Sequence, residues 1–252
     1  MTKLSAVSGL SVIFGLAVLA ACSAAPAQDD SGDDSSSVTK DGGTFVRDGS
    51  TYDSTPSSDS GLGELRFQPS QSFSGYDGAH AFTVPVAVYD YGSDLKLTAD
   101  DPSAVAIKPA KLVNPVNQDG VADNGKYFLV SVLKAGAITL TATSAGRHAS
   151  TTITVVDYSP DRWAAGQARY VNGGGGDPPC TNCHVNGQAI DHSPAALATS
   201  DDQKVAAVIT TGISPAGFPI QGVQGGHRWS ATPAELDGLV TYLRALDPRG
   251  FE

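Results

Sequence analysis

Apolar and polar positions divide the chain into stretches of distinct character. A mostly apolar run from Ala6 to Ala21 follows Lys3. From Ser23 to about Gly61 large apolar side chains almost vanish among Ser, Asp, Gly, Thr and Pro, so this stretch cannot bury enough surface to order itself. β-rich runs then recur at Leu65–Phe67, Phe82–Tyr89, Leu95–Leu97, Val105–Ile107, Tyr127–Leu133, Ile138–Thr143 and Thr151–Val156. Turn clusters such as Asp119-Gly120 and Asp123-Asn124-Gly125 separate them. Short strands at this spacing, with no helical pattern among them, predict a two-sheet sandwich of about a hundred residues. From about Ser159 the pattern turns helical. Leu236, Leu239, Val240, Leu243 and Leu246 share one face of a closing helix. Thr232 is its N-cap, Pro233 its first position and Glu235 the partner in a capping box.

Charge changes this picture little. The formal net charge is −10, and more than half of it lies between Ser23 and Gly61, where Lys40 and Arg47 are the only cations. The acidity therefore describes a self-repelling tether rather than a binding face. No basic patch argues for nucleic acid. The strand-rich part offers no catalytic constellation, and His80 and His148 read as surface residues at turns.

Cysteine usage changes the picture more. Cys180-Thr181-Asn182-Cys183-His184 is a C-x-x-C-H run, the attachment signature of covalent haem c. Both thiols would add across the haem vinyl groups, and the adjacent imidazole of His184 would take the iron. A thioredoxin-like pair would need a preceding strand, where this chain has Gly173-Gly174-Gly175-Gly176-Asp177-Pro178-Pro179. A zinc site would need further Cys or His ligands at motif spacing. The glycine run lacks the Gly-Lys-Ser/Thr of a phosphate loop and reads as a flexible surface insertion. Met1 is the only methionine, so the common sulfur ligand to a haem iron is missing. The third cysteine, Cys22, closes Leu19-Ala20-Ala21-Cys22 after the apolar run, and no cysteine remains for a structural disulfide. The order of charged, apolar and small residues is that of a signal peptide, and the run is shorter than the roughly 20 residues a membrane helix needs.

Three resemblances sharpen these readings. Leu19-Ala20-Ala21-Cys22 resembles a bacterial lipobox, which implies cleavage before Cys22, acylation there and export. Ser23 in place of Asp fits release to the outer membrane, with the folded part on the periplasmic face or cell surface. Asp101–Ile107, Lys134–Thr143 and Ala149–Val155 resemble parts of a bacterial Ig-like domain of the second type, a spacer or adhesion module that implies a possible polysaccharide or protein partner. Asp161 to Leu246 resembles class I cytochromes c. The opening helix carries Gly166-Gln167-Ala168-Arg169-Tyr170 and the closing helix Tyr242-Leu243-Arg244-Ala245-Leu246, which in that family cross where the glycine admits the partner's aromatic ring.

The cytochrome resemblance implies further roles. Ser193-Pro194-Ala195-Ala196-Leu197 is similar to a segment whose proline carbonyl holds the proximal imidazole, which places Pro194 in the haem environment. The loop that carries the family's axial methionine reads Gly225-Gly226-His227-Arg228-Trp229-Ser230 here. It makes His227 the candidate sixth ligand and sets Trp229 near the porphyrin, with His192 a weaker candidate. The expected chain is multidomain: signal peptide 1–21, lipid-anchored acidic linker 22–61, all-β Ig-like sandwich 62–158 and small all-α cytochrome c domain 159–252. The expected function is outer-sphere electron transfer between redox partner proteins through one covalent haem c, not catalysis. Alternatives are a five-coordinate haem enzyme or gas or peroxide sensor, and a surface interaction protein acting through the Ig-like part.

Overall fold

Alternation of buried and exposed side chains builds most of the molecule. The structure is a computed structural model that describes residues 63–113, 123–184, 192–220 and 226–252. The expected signal peptide, the acylated Cys22 and the acidic linker lie outside the described residues. The strands are β1 (Arg66–Gln68), β2 (Gln71–Tyr76), β3 (Thr83–Tyr89), β4 (Lys96–Ala99), β5 (Val105–Ala110), β6 (Lys126–Val132), β7 (Gly136–Ser144) and β8 (Arg147–Asp157). One sheet runs β1-β3-β6-β5 and the other β2-β8-β7-β4. β2 pairs parallel with β8, and every other pairing is antiparallel.

The period-2 pattern explains the registers. On β6, Phe128, Val130 and Val132 face inward, and on β7 Ile138, Leu140 and Ala142 do the same. With Phe82, Val84, Val86, Val88 and Ile153 they form one core between the sheets. Each β-rich run read from the sequence overlaps a strand, and β2 is an addition. His148 lies within β8 and is exposed. His80 is not a lone surface histidine: its ring stacks on Trp163 at 4.3 Å and 9°, and its Nδ1 lies 2.6 Å from the Asp77 carboxylate.

The expected small all-α cytochrome c domain is not what forms, and this corrects the fold class. The described chain is mainly β-sheet, and its helices are short: α1 (Asp161–Asn172), α2 (Thr181–His184), α3 (Pro194–Leu197), α4 (Asp202–Thr211) and α5 (Pro233–Arg244). They lean on the sandwich instead of closing a domain of their own. Ala198 and Ala245 join the sandwich core. The Phe73 amide of β2 donates to the Ala198 carbonyl at 2.8 Å. Arg244, 2% exposed, donates to the carbonyls of Leu197 and Ser200 and to Asp202, whose carboxylate also accepts from the Tyr158 hydroxyl. The physical reason is a shortage of bulky apolar residues. Away from the sandwich the helices fully bury only Tyr170, Val205, Leu239, Val240 and Leu243 among hydrophobic side chains. Among the described residues no helix is long and apolar enough to cross a membrane.

α1 and α5 cross at glycine. A Cβ added to Gly166 would lie 1.8 Å from the Gly238 carbonyl oxygen. The glycine thus meets backbone, not the aromatic ring expected there. The aromatic contacts flank the crossing: Tyr242 packs against Tyr170 and Trp163, each at 5.3 Å between ring centroids. The capping box of α5, with Thr232 and Glu235, is present.

Candidate functional site

The C-x-x-C-H run leaves α1 by way of a tight turn. The Cys180 amide donates to the Tyr170 carbonyl at 2.9 Å, which fixes the run against the end of the helix. Cys183 and His184 then donate their amides to the Cys180 carbonyl, so one helical turn carries Cys180, Cys183 and His184 together. Cys180 is a free thiol, and burial pushes its pKa up to about 11, against the opposing pull of Arg169.

Three imidazoles converge beside this turn. His184 is buried at 7% exposure. His192 stacks on it with centroids 3.5 Å apart and planes at 21°, and also packs against Tyr170. His227 stands edge-on to His184, with centroids 6.0 Å apart and planes at 88°. Trp229 covers His227 at 4.5 Å. Burial pushes the His192 pKa down to about 3, helped by His184, His227 and Arg249. Burial also holds His227 below the ordinary imidazole value, helped by His184 and opposed by a hydrogen bond to the Val208 backbone.

The loop carrying His227 is held by elements with little sequence signal. α4 starts at the Asp201 N-cap and ends at Gly212. A Cβ on Gly212 would sit 2.4 Å from the His227 carbonyl oxygen, so only glycine admits this approach. The Trp229 amide donates to Ile209 of α4, and the Trp229 indole donates to the Pro178 carbonyl at 3.1 Å. Pro194 is buried at the first position of α3, two residues after His192. Sequence reasoning missed Arg169, Asp177 and Ser230, which join the glycine-rich insert to the same loop. Asp177 Oδ2 accepts from Arg169 Nη2 and from the Ser230 amide, each at 2.7 Å. The insert is therefore pinned, contrary to the flexible insertion expected from its glycines.

Two of these imidazoles are spaced as two ligands of one metal would be. Two imidazole nitrogens each about 2 Å from one metal put their ring centroids roughly 6 Å apart. The His184–His227 pair matches that span at 6.0 Å, whereas His184 and His192 at 3.5 Å are too close to hold a metal between them. His227 Nδ1 is buried without a hydrogen-bond partner, and so is His192 Nδ1. A buried ring nitrogen with no protein partner is a group that a water or an ion would satisfy. Among the described residues no group of three or more His, Cys, Asp or Glu side chains is arranged to hold a bare metal ion. A porphyrin iron asks for fewer, because the macrocycle leaves the protein only axial positions.

No known protein family matches the chain. No curated protein matches it. Among solved structures it is similar to surface layer protein SbsC, domains 4–9, at 14% identity, covering 39% of this chain and 15% of that one with a TM-score of 0.28. It is also similar to domains 4 and 5 of the S-layer protein SbsC, at 16% identity, covering 38% of this chain and 46% of that one with a TM-score of 0.25. The chain thus spans less than half the length of either.

Proposed function

We propose that this chain is an exported, lipid-anchored electron carrier that holds one haem c on Cys180 and Cys183, with His184 and His227 as axial ligands. The observation that carries the reading is the perpendicular His184–His227 pair at 6.0 Å beside the helical turn that bears both cysteines. Bound there, haem iron supplies a one-electron couple whose potential depends on its axial ligands, their hydrogen bonds and burial. Each protein group has a defined task. The α2 turn presents two sulfurs and one imidazole to the same edge. Haem attachment would use the thiols of Cys180 and Cys183, each S–H adding across one vinyl group. α4 holds the His227 loop through the Ile209 and Thr211 carbonyls, and Trp229 and Tyr170 shield the imidazoles from water. With His184 and His227 both holding the iron, small molecules would be kept from it, and the chemistry the haem would supply is outer-sphere transfer to redox partner proteins.

The test is spectroscopic. Protein matured in a host equipped for cytochrome assembly should carry pigment that survives acidified organic solvent and gives a haem c pyridine haemochrome spectrum. Cys180→Ser and Cys183→Ser should each weaken that retention. His227→Ala should turn a low-spin spectrum high-spin and open the reduced iron to carbon monoxide. A colourless wild-type protein ends the proposal, and an unchanged low-spin spectrum in His227→Ala removes that ligand from it.

A further inference from the structure

The glycine-rich insert departs most from the expected pattern, and its structure gives it a task. Gly174 and Asp177 exchange backbone hydrogen bonds at 3.1 and 2.9 Å, closing a two-residue hairpin over Gly175 and Gly176. Both central residues have positive φ, 61° and 89°, a tight-turn geometry that glycine adopts without steric cost. The hairpin delivers Asp177 to a buried guanidinium. Arg169, with its side chain 3% exposed, lies on α1 one residue before Tyr170. Its Nη2 donates to Asp177 Oδ2 at 2.7 Å and to the Ser230 carbonyl at 3.1 Å. Asp177 Oδ2 in turn accepts the Ser230 amide at 2.7 Å. Ser230 is thus gripped at its amide by the carboxylate and at its carbonyl by the guanidinium. One residue earlier, the Trp229 indole donates to Pro178, the residue after Asp177.

Resting on the haem reading above, we infer that Arg169 and Asp177 are positioning residues that hold the His227 loop in register with the Cys180–His184 turn. The insert is the tie between them. Cys180 follows Asp177 by three residues, and His227 precedes Ser230 by three, so the clamp joins the two ligand-bearing segments at matched distances along the chain. α4 holds the other side of the same loop through the Ile209 carbonyl and the Thr211 carbonyl, which accepts from Arg228 Nε at 3.1 Å. With the clamp cut, the hold from α4 and the Trp229–Pro178 bond remain, and His227 is less firmly fixed opposite His184. The expected phenotype is partial loss of the sixth ligand rather than loss of the cofactor.

The test uses the full chain. Asp177→Asn keeps the shape but removes the charge, Asp177→Glu restores the carboxylate, and Trp229→Phe deletes only the indole hydrogen bond. Haem content by pyridine haemochrome should match wild type in all three. Asp177→Asn should show a high-spin fraction and bind carbon monoxide about tenfold faster or more. Asp177→Glu should recover part of the low-spin signal, and Trp229→Phe should fall between. In apoprotein, hydrogen exchange at the Ser230 amide should accelerate in Asp177→Asn, a readout that needs no cofactor. A haem-bearing Asp177→Asn protein with wild-type spin state and carbon monoxide kinetics overturns the positioning role alone. Unchanged Ser230 exchange overturns the clamp itself. A wild-type protein without haem overturns both this inference and the function it rests on.

Discussion

Replacing Gly166 by alanine tests the packing that supports the site. On an exposed helix this change would help, because alanine is the better helix former by about 0.8–1.0 kcal/mol. At the crossing of α1 and α5 the added Cβ would lie 1.8 Å from the Gly238 carbonyl oxygen and 2.8 Å from the Leu239 amide nitrogen. Both are backbone atoms, so no side-chain rotation relieves the overlap. Ordinary contact distances begin near 3.5 Å, so the helices must part by roughly 1.5 Å, more than enough to lose half of the dispersion attraction between facing atoms. The Tyr170–Tyr242 contact at 5.3 Å and the packing of Leu239 and Leu243 would loosen together. Overpacking typically costs about 1–3 kcal/mol. Taking the upper end and subtracting the propensity gain leaves Gly166→Ala destabilised by about 2 kcal/mol. Gly238→Ala should cost less, since its Cβ would meet Gly166 N at 2.8 Å and Arg162 O at 2.9 Å. Urea unfolding of both variants beside wild type measures this, with the midpoint falling and the slope unchanged. A Gly166→Ala protein as stable as wild type, or more so, would falsify the close crossing.

Other outcomes follow from the contact between sheets and helices. Arg244→Met leaves the Leu197 and Ser200 carbonyls and Asp202 without their donor, and should cost about 3 kcal/mol in urea unfolding, near the lower end for a broken buried pair because Asp202 stays partly exposed. Tyr158→Phe removes one hydroxyl donated to Asp202 and should cost about 1 kcal/mol in the same measurement. Burial raises the Asp77 pKa, but hydrogen bonds from the His80 and Ala79 amides and the His80 ring outweigh it and hold the carboxyl below 3.8. Such a group stabilises the fold above its unfolded pKa and loses that contribution as pH falls through the lower folded value. Asp77→Asn should therefore flatten the acid limb of the stability–pH curve below 3.8 without changing its shape near neutrality.

Legibility differed by element, for physical reasons. Strands such as β6 and β7 alternate large apolar residues with polar ones, so their period is plain in the sequence. β2 hides because its alternation is inverted: Ser72 and Ser74 are buried at 0% and 2%, while Phe73 between them is only half-buried. α5 was readable from Thr232, Pro233 and Glu235, since caps are local chemistry. α4 carries comparable signals in Asp201 and Gly212, but only Val205 on it is buried, so no apolar stripe marks it. The helical residues suggested a domain of their own because local periodicity says nothing about what a helix packs against. Of the site, the C-x-x-C-H turn could be named from its spacing, and His227 only from what the cytochrome resemblance implies. The Arg169–Asp177–Ser230 clamp could not, because its partners lie up to 61 residues apart and are joined through an insert that composition alone reads as loose.

The joining of helices to sandwich bears on how such a site would work. Arg244 and Asp202 tie α4 and α5 to β2, while His80 reaches from the loop before β3 to stack on Trp163 of α1. Both helices that cross at Gly166 are thus anchored to the sheets, one through each contact. Tyr242 touches Trp163 on one side and Tyr170 on the other, and Tyr170 touches His192. Aromatic rings therefore run without a break from His80 at the sandwich to the imidazole cluster, with centroid spacings of 4.3, 5.3, 5.3 and 6.0 Å. Rings packed this way resist compression, since interiors at crystal-like density transmit displacement rather than absorb it. The sandwich then acts as a rigid mount: it fixes the two crossing helices, and through them the turn that carries Cys180, Cys183 and His184. Under the proposed function that rigidity would matter, because a bound haem whose ligands do not move when its charge changes would have little to reorganise.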